Sequence, residues 1–99
     1  MKFMVTWRLH DDKRIATLEA WASLTPQERA DVGDGVKLIG RWHDLSAGMG
    51  TLIVETDDLP ALNRYLGQWI PVLDLEVVPV LDDEESAAVA RQILADLTA

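Results

Sequence analysis

Four short segments alternate between apolar and polar residues at every second position, which is the pattern of a β-strand with one buried face. The four segments are residues 2–8, 36–44, 51–56 and 75–81. A loop with two glycines, residues 46–50, joins the second and third segments and predicts a β-hairpin. Pro79 cannot donate a hydrogen bond to a neighbouring strand, so we place it at a sheet edge or a bulge.

Two helices with one apolar stripe each are predicted between these strands, because apolar residues recur there at three- and four-residue spacing. Asp11 or Asp12 caps the first helix, and Asp57 or Asp58 caps the second. The stripe of the first consists of Ile15, Leu18, Trp21 and Ala22. The stripe of the second consists of Leu59, Leu62, Leu66 and Trp69. Each helix therefore has one face suited to a buried core.

Two more helices are predicted from their capping residues. Thr25 and Glu28 have the spacing of a capping box, with Pro26 at the first helical position, and they predict a short helix that runs to about Val32. The last helix covers about residues 86–97, and the four acidic residues before it complement the positive end of its dipole. Its apolar stripe needs a surface to pack on, which is either the parent subunit or a second subunit.

The element order β-α-β-β-α-β, with an extra C-terminal helix, predicts a ferredoxin-like α+β fold in a single domain over residues 1–99. Both main helices then lie on one face of an antiparallel sheet. Strict alternation places on that face Val36, Leu38, Gly40, Trp42, Leu52 and Val54. It places on the opposite face Lys37, Ile39, Arg41, His43, Thr51, Ile53 and Glu55. A mixed face of this kind is typical of a surface that a second subunit or a ligand covers.

Composition and charge exclude several classes of function. The 99 residues contain no cysteine, which excludes disulfides, thiolate nucleophiles and cysteine-ligated metals. The net charge of −8 repels phosphate groups, so we expect no nucleic acid and no membrane partner. No apolar run approaches the roughly 18 residues of a membrane span. Charged residues from Arg8 onwards leave no room for a signal peptide, which predicts a cytoplasmic location.

The mixed face also carries the best candidates for a ligand-binding site. These are Thr6 and Arg8 on the first strand, Arg41 and His43 on the second, and Glu55 on the third. We expect these side chains to converge in one pocket. A histidine oriented by a carboxylate can act as a general base while an arginine holds an anionic oxygen, which suits proton transfer beside a carbonyl. The structural alternative is a cross-strand ion pair between Arg41 and Glu55, with His43 making a hydrogen bond across a dimer interface.

No cofactor or metal is predicted. The only histidines are His10 and His43, and they have no metal-ligand spacing. His43 is the one candidate axial ligand if the protein were to bind haem. Among the tryptophans, Trp21 and Trp69 are expected to be core anchors. Trp7 and Trp42 are expected to face the helices, unless a bulge shifts the alternation by one residue.

Several blocks of the sequence resemble a family of bacterial domains of unknown function. They are MKFMVTWR at 1–8, RWHDL at 41–45, VETDD at 54–58, the stretch 66–74 around Trp69, and LEVVPVLDDEE at 75–85. That family resembles the dimeric α/β-barrel, ferredoxin-like superfamily. The resemblance implies a homodimer in which two sheets face one another across a barrel. The superfamily includes cofactor-free monooxygenases, isomerases and haem-binding proteins, so the fold alone does not select a function.

Three functions remain open at this point. The first is a homodimeric domain that binds a small organic molecule. The second is a cofactor-independent isomerase or monooxygenase that uses His43 with Arg41 and Glu55. The third is a protein-interaction module that acts through its acidic C-terminal helix.

Overall fold

The computed structural model describes all 99 residues and contains one four-stranded antiparallel sheet with four helices. The strands are β1 (Lys2–Leu9), β2 (Val36–Asp44), β3 (Met49–Thr56) and β4 (Leu73–Val80). Their order in the sheet is β2-β3-β1-β4, which is consistent with the predicted ferredoxin-like arrangement. Pro79 lies on β4, an edge strand, as the missing N–H requires.

The helices are α1 (Arg14–Ala22), α2 (Pro26–Ala30), α3 (Leu59–Gly67) and α4 (Asp83–Thr98). The capping predictions for α2 and α3 are confirmed, because Thr25 and Glu28 form a capping box and the Asp58 carboxylate accepts a hydrogen bond from an amide of α3. The prediction for α1 was wrong. Asp11 and Asp12 form a short 3₁₀ turn instead, and the α-helical hydrogen bonds begin only after it.

The core lies between the sheet and α3. It consists of Phe3, Val5, Leu52, Val54, Leu62 and Leu66. Cross-strand pairs of Phe3 with Val54 and of Val5 with Leu52 put the strand residues on one face, beneath the buried side of α3. The apolar stripe predicted for α1 is not buried in the same way, since Ile15 remains 69% exposed. The helix α1 therefore does not close onto the sheet as tightly as α3 does.

An irregularity in β2 changes which residues share a face. Leu38 pairs with Val54, but the next pair joins Gly40 to Ile53, and Arg41 then lies opposite the core residue Leu52. One extra residue in a strand reverses the facing of every residue after it. Arg41 and His43 therefore face the helices. Trp42 and Gly40 lie on the opposite face, so strict alternation was the wrong assumption for the second half of this strand.

The face of the sheet turned away from α1 and α3 is called the open face below. Its residues include Met4, Thr6, Thr51, Ile53, Val78 and Trp42. The C-terminal helix α4 begins three residues earlier than predicted, because Asp82 and Glu85 form a capping box at its start. It buries none of its residues. No helix of the chain has both the length and the apolar character that crossing a bilayer requires.

Candidate functional site

A cavity of about 240 Å³ lies between α1, α3 and the helix-facing side of the sheet. Four aromatic side chains contribute to its walls, namely Trp7, Trp21, Tyr65 and Trp69. The exposed apolar side chains of Ile15, Leu45 and Met49 also line it, so the cavity opens to solvent along an apolar rim. This rim exists because α1 is not pressed onto the sheet.

The aromatic walls hold His43 in a defined position. The His43 ring lies 5.5 Å from the Trp7 ring in an edge-on arrangement and 5.1 Å from the Trp21 ring. Trp21 in turn contacts Trp69 edge-on at 6.2 Å. These separations are within the range in which aromatic rings attract one another. Three elements, β1, α1 and the segment after α3, therefore position one histidine on β2.

Gly50 makes the position of Trp7 possible. The Trp7 indole packs directly over the backbone of Gly50, and a Cβ at this residue would overlap the ring. A Gly50→Ala variant is expected to lose about 1–3 kcal/mol of unfolding free energy, because the ring has to move out of a packed site. Urea unfolding monitored by tryptophan fluorescence measures this.

The matched control for that variant is Gly67→Ala. No atom lies within 4 Å of a Cβ placed at Gly67, and the residue belongs to a helix, so the same substitution is expected to be neutral or slightly stabilising there. Equal losses of unfolding free energy in the two variants would show that the packing of Trp7 does not require a glycine at position 50.

Arg41 brings a positive charge into the cavity wall. Its Nη1 donates to the backbone oxygen of Arg29 at 2.9 Å, and its Nη2 donates to the Tyr65 hydroxyl at 3.1 Å. The guanidinium carbon lies 4.9 Å from the centre of the Trp21 ring, within the distance of a cation–π contact. The side chain is half-buried and makes no ion pair with any carboxylate of the protein. The positive charge is thus held in place but not neutralised.

Arg14 is a second half-buried guanidinium in the lining. Its Nη2 donates to the backbone oxygen of Ala47 at 2.9 Å, while its Nε is buried and has no partner. It makes no ion pair either. The one acidic residue in the lining is Asp44, whose Oδ1 accepts a hydrogen bond from the Ala47 amide at 3.1 Å. The cavity of this acidic protein therefore has an excess of positive charge.

His43 is held in its neutral form. His43 as a whole is exposed, but the tryptophan rings shield part of the imidazole from water, which lowers its pKa below the usual 6.5, and the nearby positive charge of Arg41 lowers it further. The ring makes no hydrogen bond within the protein, and no carboxylate orients it. At neutral pH it therefore offers a free lone pair next to a fixed cation.

The five residues expected to form one pocket are divided between the two faces of the sheet. Arg41 and His43 line the cavity, whereas Thr6, Arg8 and Glu55 lie on the open face. Glu55 forms an ion pair with Lys2 at 3.2 Å and not with Arg41. The expectation that all five converge was wrong, because it assumed that β2 has no bulge.

Sequence reasoning missed Arg14 and Tyr65 as cavity residues. Arg14 reaches the site through its contact with the β2–β3 loop, and Tyr65 does so by accepting from Arg41. Neither contact has a local sequence signal. The indirect signal was the high share of tryptophan, since three of the four tryptophans line the cavity.

One family model, described as Domain of unknown function (DUF3303), matches residues 1–94. The matched range contains every residue of the cavity wall. No curated protein and no solved structure gives a match.

Proposed function

Because the chain belongs to the DUF3303 family, whose description assigns no activity, we propose a function from the cavity itself: it binds a small aromatic or apolar molecule that carries an anionic group. The observation that carries this proposal is Arg41, a half-buried cation in an aromatic wall with no carboxylate partner.

The state of Arg41 favours an anion over a neutral ligand. A partly buried charge without a counter-ion is costly, and a ligand that supplies the opposite charge recovers that cost. A guanidinium has five N–H donors, of which two have protein partners here. Planar carboxylates accept two parallel hydrogen bonds from such a group. The chain has 17 acidic residues, yet none of them pairs with Arg41.

The size and lining of the cavity favour one ring or two fused rings. A dry cavity of about 150 Å³ holds benzene in a protein core. The cavity here, at about 240 Å³, has room for a larger ring system. Tryptophan side chains on two sides offer stacking surfaces, and stacked aromatic pairs contribute about 0.5–1.5 kcal/mol beyond their buried area.

The test compares 2-naphthoate with its neutral amide, 2-naphthamide, by isothermal titration calorimetry and by quenching of tryptophan fluorescence. The two probes have the same ring system and nearly the same size, so their difference in affinity reports the charge. We expect the carboxylate to bind at least about tenfold more tightly, because a charge-assisted hydrogen bond contributes about 1.5–3 kcal/mol. Equal affinities, or no saturable binding of either probe, would contradict the proposal.

The affinity for 2-naphthoate is expected to rise as the pH falls below 6.5. An anion beside His43 stabilises the protonated ring, so binding raises the pKa of His43 and takes up a proton. The gain begins as the pH falls towards the pKa of His43 in the complex, and it is complete only below the lowered pKa of His43 in the free protein. It ends near pH 4, where the ligand's own carboxylate takes up a proton.

Calorimetry at several pH values measures this dependence, and His43→Asn is the comparison variant. Asparagine cannot gain a positive charge, so its affinity profile is expected to be flat between pH 5 and 7. A wild-type profile that is equally flat would exclude His43 from the ligand's surroundings.

A cofactor-independent enzyme is the second candidate function. The supporting observation is that His43 is kept neutral beside Arg41, which is the arrangement of a base next to an oxyanion-binding cation. Glu55 no longer contributes, because it lies on the open face. In D₂O, His43 would take a proton from the methylene carbon of phenylpyruvate, and the resulting enolate would receive deuterium.

Proton NMR follows that exchange. Exchange faster than the spontaneous rate, abolished in His43→Gln, supports the enzyme. Exchange at the spontaneous rate would contradict the enzyme, and if phenylpyruvate nevertheless binds, ligand binding alone is the function.

Kinship with the dimeric α/β-barrel superfamily, and with it a homodimeric state, also remains our proposal. The strand order β2-β3-β1-β4 supports it, as does an open face on which Val78 and Trp42 are exposed to solvent. An exposed apolar patch of this kind is typical of an interface.

A further inference from the structure

The C-terminal helix α4 has an apolar stripe without a partner. The stripe consists of Val89, Ile93, Leu94 and Leu97, whose exposed fractions are 38%, 52%, 62% and 77%. Exposure therefore increases along the helix, which means that α4 leaves the body of the protein. The radius of gyration of 16.5 Å agrees with this, since a compact chain of this length has a value of about 13 Å.

The stripe does not point towards the helix's own subunit. Lys2 on the open face forms ion pairs with Asp82 and Glu85 at 3.2 and 3.3 Å, and these contacts fix the start of α4. Ala88 is the one residue of α4 that is not exposed. At about 100° per residue, Glu85 lies about 105° and Ala88 about 165° around the helix from the centre of the stripe. The contact with the body and the apolar stripe are thus on different sides.

The open face is the matching surface on the same chain. Met4, Ile53 and Val78 occupy neighbouring positions across three strands at its centre, and Trp42 lies towards the β2 edge. Val78 and Trp42 are 42% and 59% exposed. An apolar sheet face and an apolar helix stripe are surfaces that commonly pack on one another in α+β proteins.

Each chain carries one copy of each uncovered surface, the apolar stripe of α4 and the open face of the sheet. We infer that two copies associate so that the stripe of each α4 packs on the open face of the other. A two-fold arrangement covers all four surfaces at once, whereas a different partner would cover one kind and leave the other. This inference rests on the homodimeric state proposed above, and it assigns the open face to α4 of the second copy, where a dimeric α/β-barrel would place the second sheet.

The charges at the borders of the two surfaces are complementary. The helix carries four acidic residues and one basic residue, and Asp83 and Asp96, about 60° and 85° around the helix from the centre of the stripe, make no ion pair within the chain. On the open face, Arg8 and Lys37 make none either.

The area is sufficient for a specific interface. A helix of 16 residues is about 24 Å long and about 10 Å wide, and covers about 240 Å² of a sheet. Counted on both surfaces and in both copies, the two contacts bury about 1,000 Å², which is the lower limit for a specific association.

The test measures the molar mass of the full chain by light scattering at micromolar concentration. The wild type is expected at twice the chain mass of 11.0 kDa. A double variant, Ile93→Glu with Leu97→Glu, and a sheet variant, Val78→Glu, are each expected to be monomeric, because both bury uncompensated charge in the contact. The control is Ala95→Glu, which adds the same charge on the opposite side of α4 and is expected to remain dimeric.

Each result decides between distinct arrangements. A monomeric wild type overturns both the homodimer and the helix exchange. A dimer that survives the double helix variant but not Val78→Glu overturns only the helix exchange, and indicates that two sheets face one another instead. A dimer that survives both variants overturns the inference and places the interface elsewhere.

A cross-link supplies an independent readout, since the chain has no cysteine of its own. Ile93→Cys and Val78→Cys proteins are mixed and treated with a short bismaleimide. A covalent pair between the two different variants is expected, and preferential pairing of like with like would contradict the exchange. Circular dichroism of each variant shows whether it is folded.

Discussion

An Arg41→Met variant is expected to bind 2-naphthoate about 10- to 100-fold more weakly than the wild type does. Methionine keeps much of the length and apolar contact of the arginine stem but removes the charge and its donors. Loss of a hydrogen bond to a charged group costs about 1.5–3 kcal/mol, which corresponds to this range of affinity. Isothermal titration calorimetry measures the change.

Arg41 also has a structural role, because it donates to the Arg29 carbonyl and to the Tyr65 hydroxyl. Binding of the neutral 2-naphthamide separates the two roles. If only the charge is lost, the amide binds to the variant as it does to the wild type. Equal weakening for both ligands would mean that the cavity has collapsed, and unchanged binding of naphthoate would remove Arg41 from the site.

The matched control is Arg8→Met. Arg8 makes no ion pair and lies on the open face, on the other side of the same sheet. The substitution changes the net charge of the protein by the same amount as Arg41→Met does. The affinity for naphthoate is expected to stay within about twofold, because Arg8 is exposed on the other face, where water and salt weaken the effect of its charge.

A Leu62→Ala variant is expected to lose about 2–5 kcal/mol of unfolding free energy, the largest stability effect that we predict. Leu62 is completely buried on α3, in the cluster that also contains Val5 and Val54. Removing the side chain forfeits its apolar burial and leaves a cavity that the neighbours fill only in part. Urea unfolding at a fixed protein concentration measures the loss.

Leu59→Ala is the control on the same helix. Leu59 is 44% exposed, so the same change of side chain is expected to cost about 1 kcal/mol or less. Similar losses for the two variants would show that the contact between α3 and the sheet is not the main core of the protein.

Much of the fold was predictable because it follows from local patterns. The Thr25–Glu28 capping box and the Asp58 cap mark helix starts by short-range hydrogen bonds, which depend only on residues three positions apart. Pro79 on an edge strand follows from its missing donor. Alternation identified Val5, Leu52 and Val54 as core residues because β1 and β3 pair without interruption.

The candidate site was predictable only in part. Arg41 and His43 were identified as the important residues of β2, but they were assigned to the wrong face. A bulge is a property of the pairing between two strands, and the single extra residue has no clear mark in the sequence of β2 alone. The ring of Trp7 lies over Gly50 because β1 pairs with β3, whereas the ring of Trp42 lies over Gly40 of its own strand.

By itself, the sequence determined the element order, the helix starts and the face of β1 that is buried, since hydrophobic period and capping act over a few residues. Only the tertiary structure decided that β2 reverses its facing at the bulge, because register is set by the partner strand. That reversal moved Arg41 and His43 from a mixed surface into an aromatic cavity, where one is an unpaired cation and the other a neutral imidazole. The same reversal placed Trp42 on the open face.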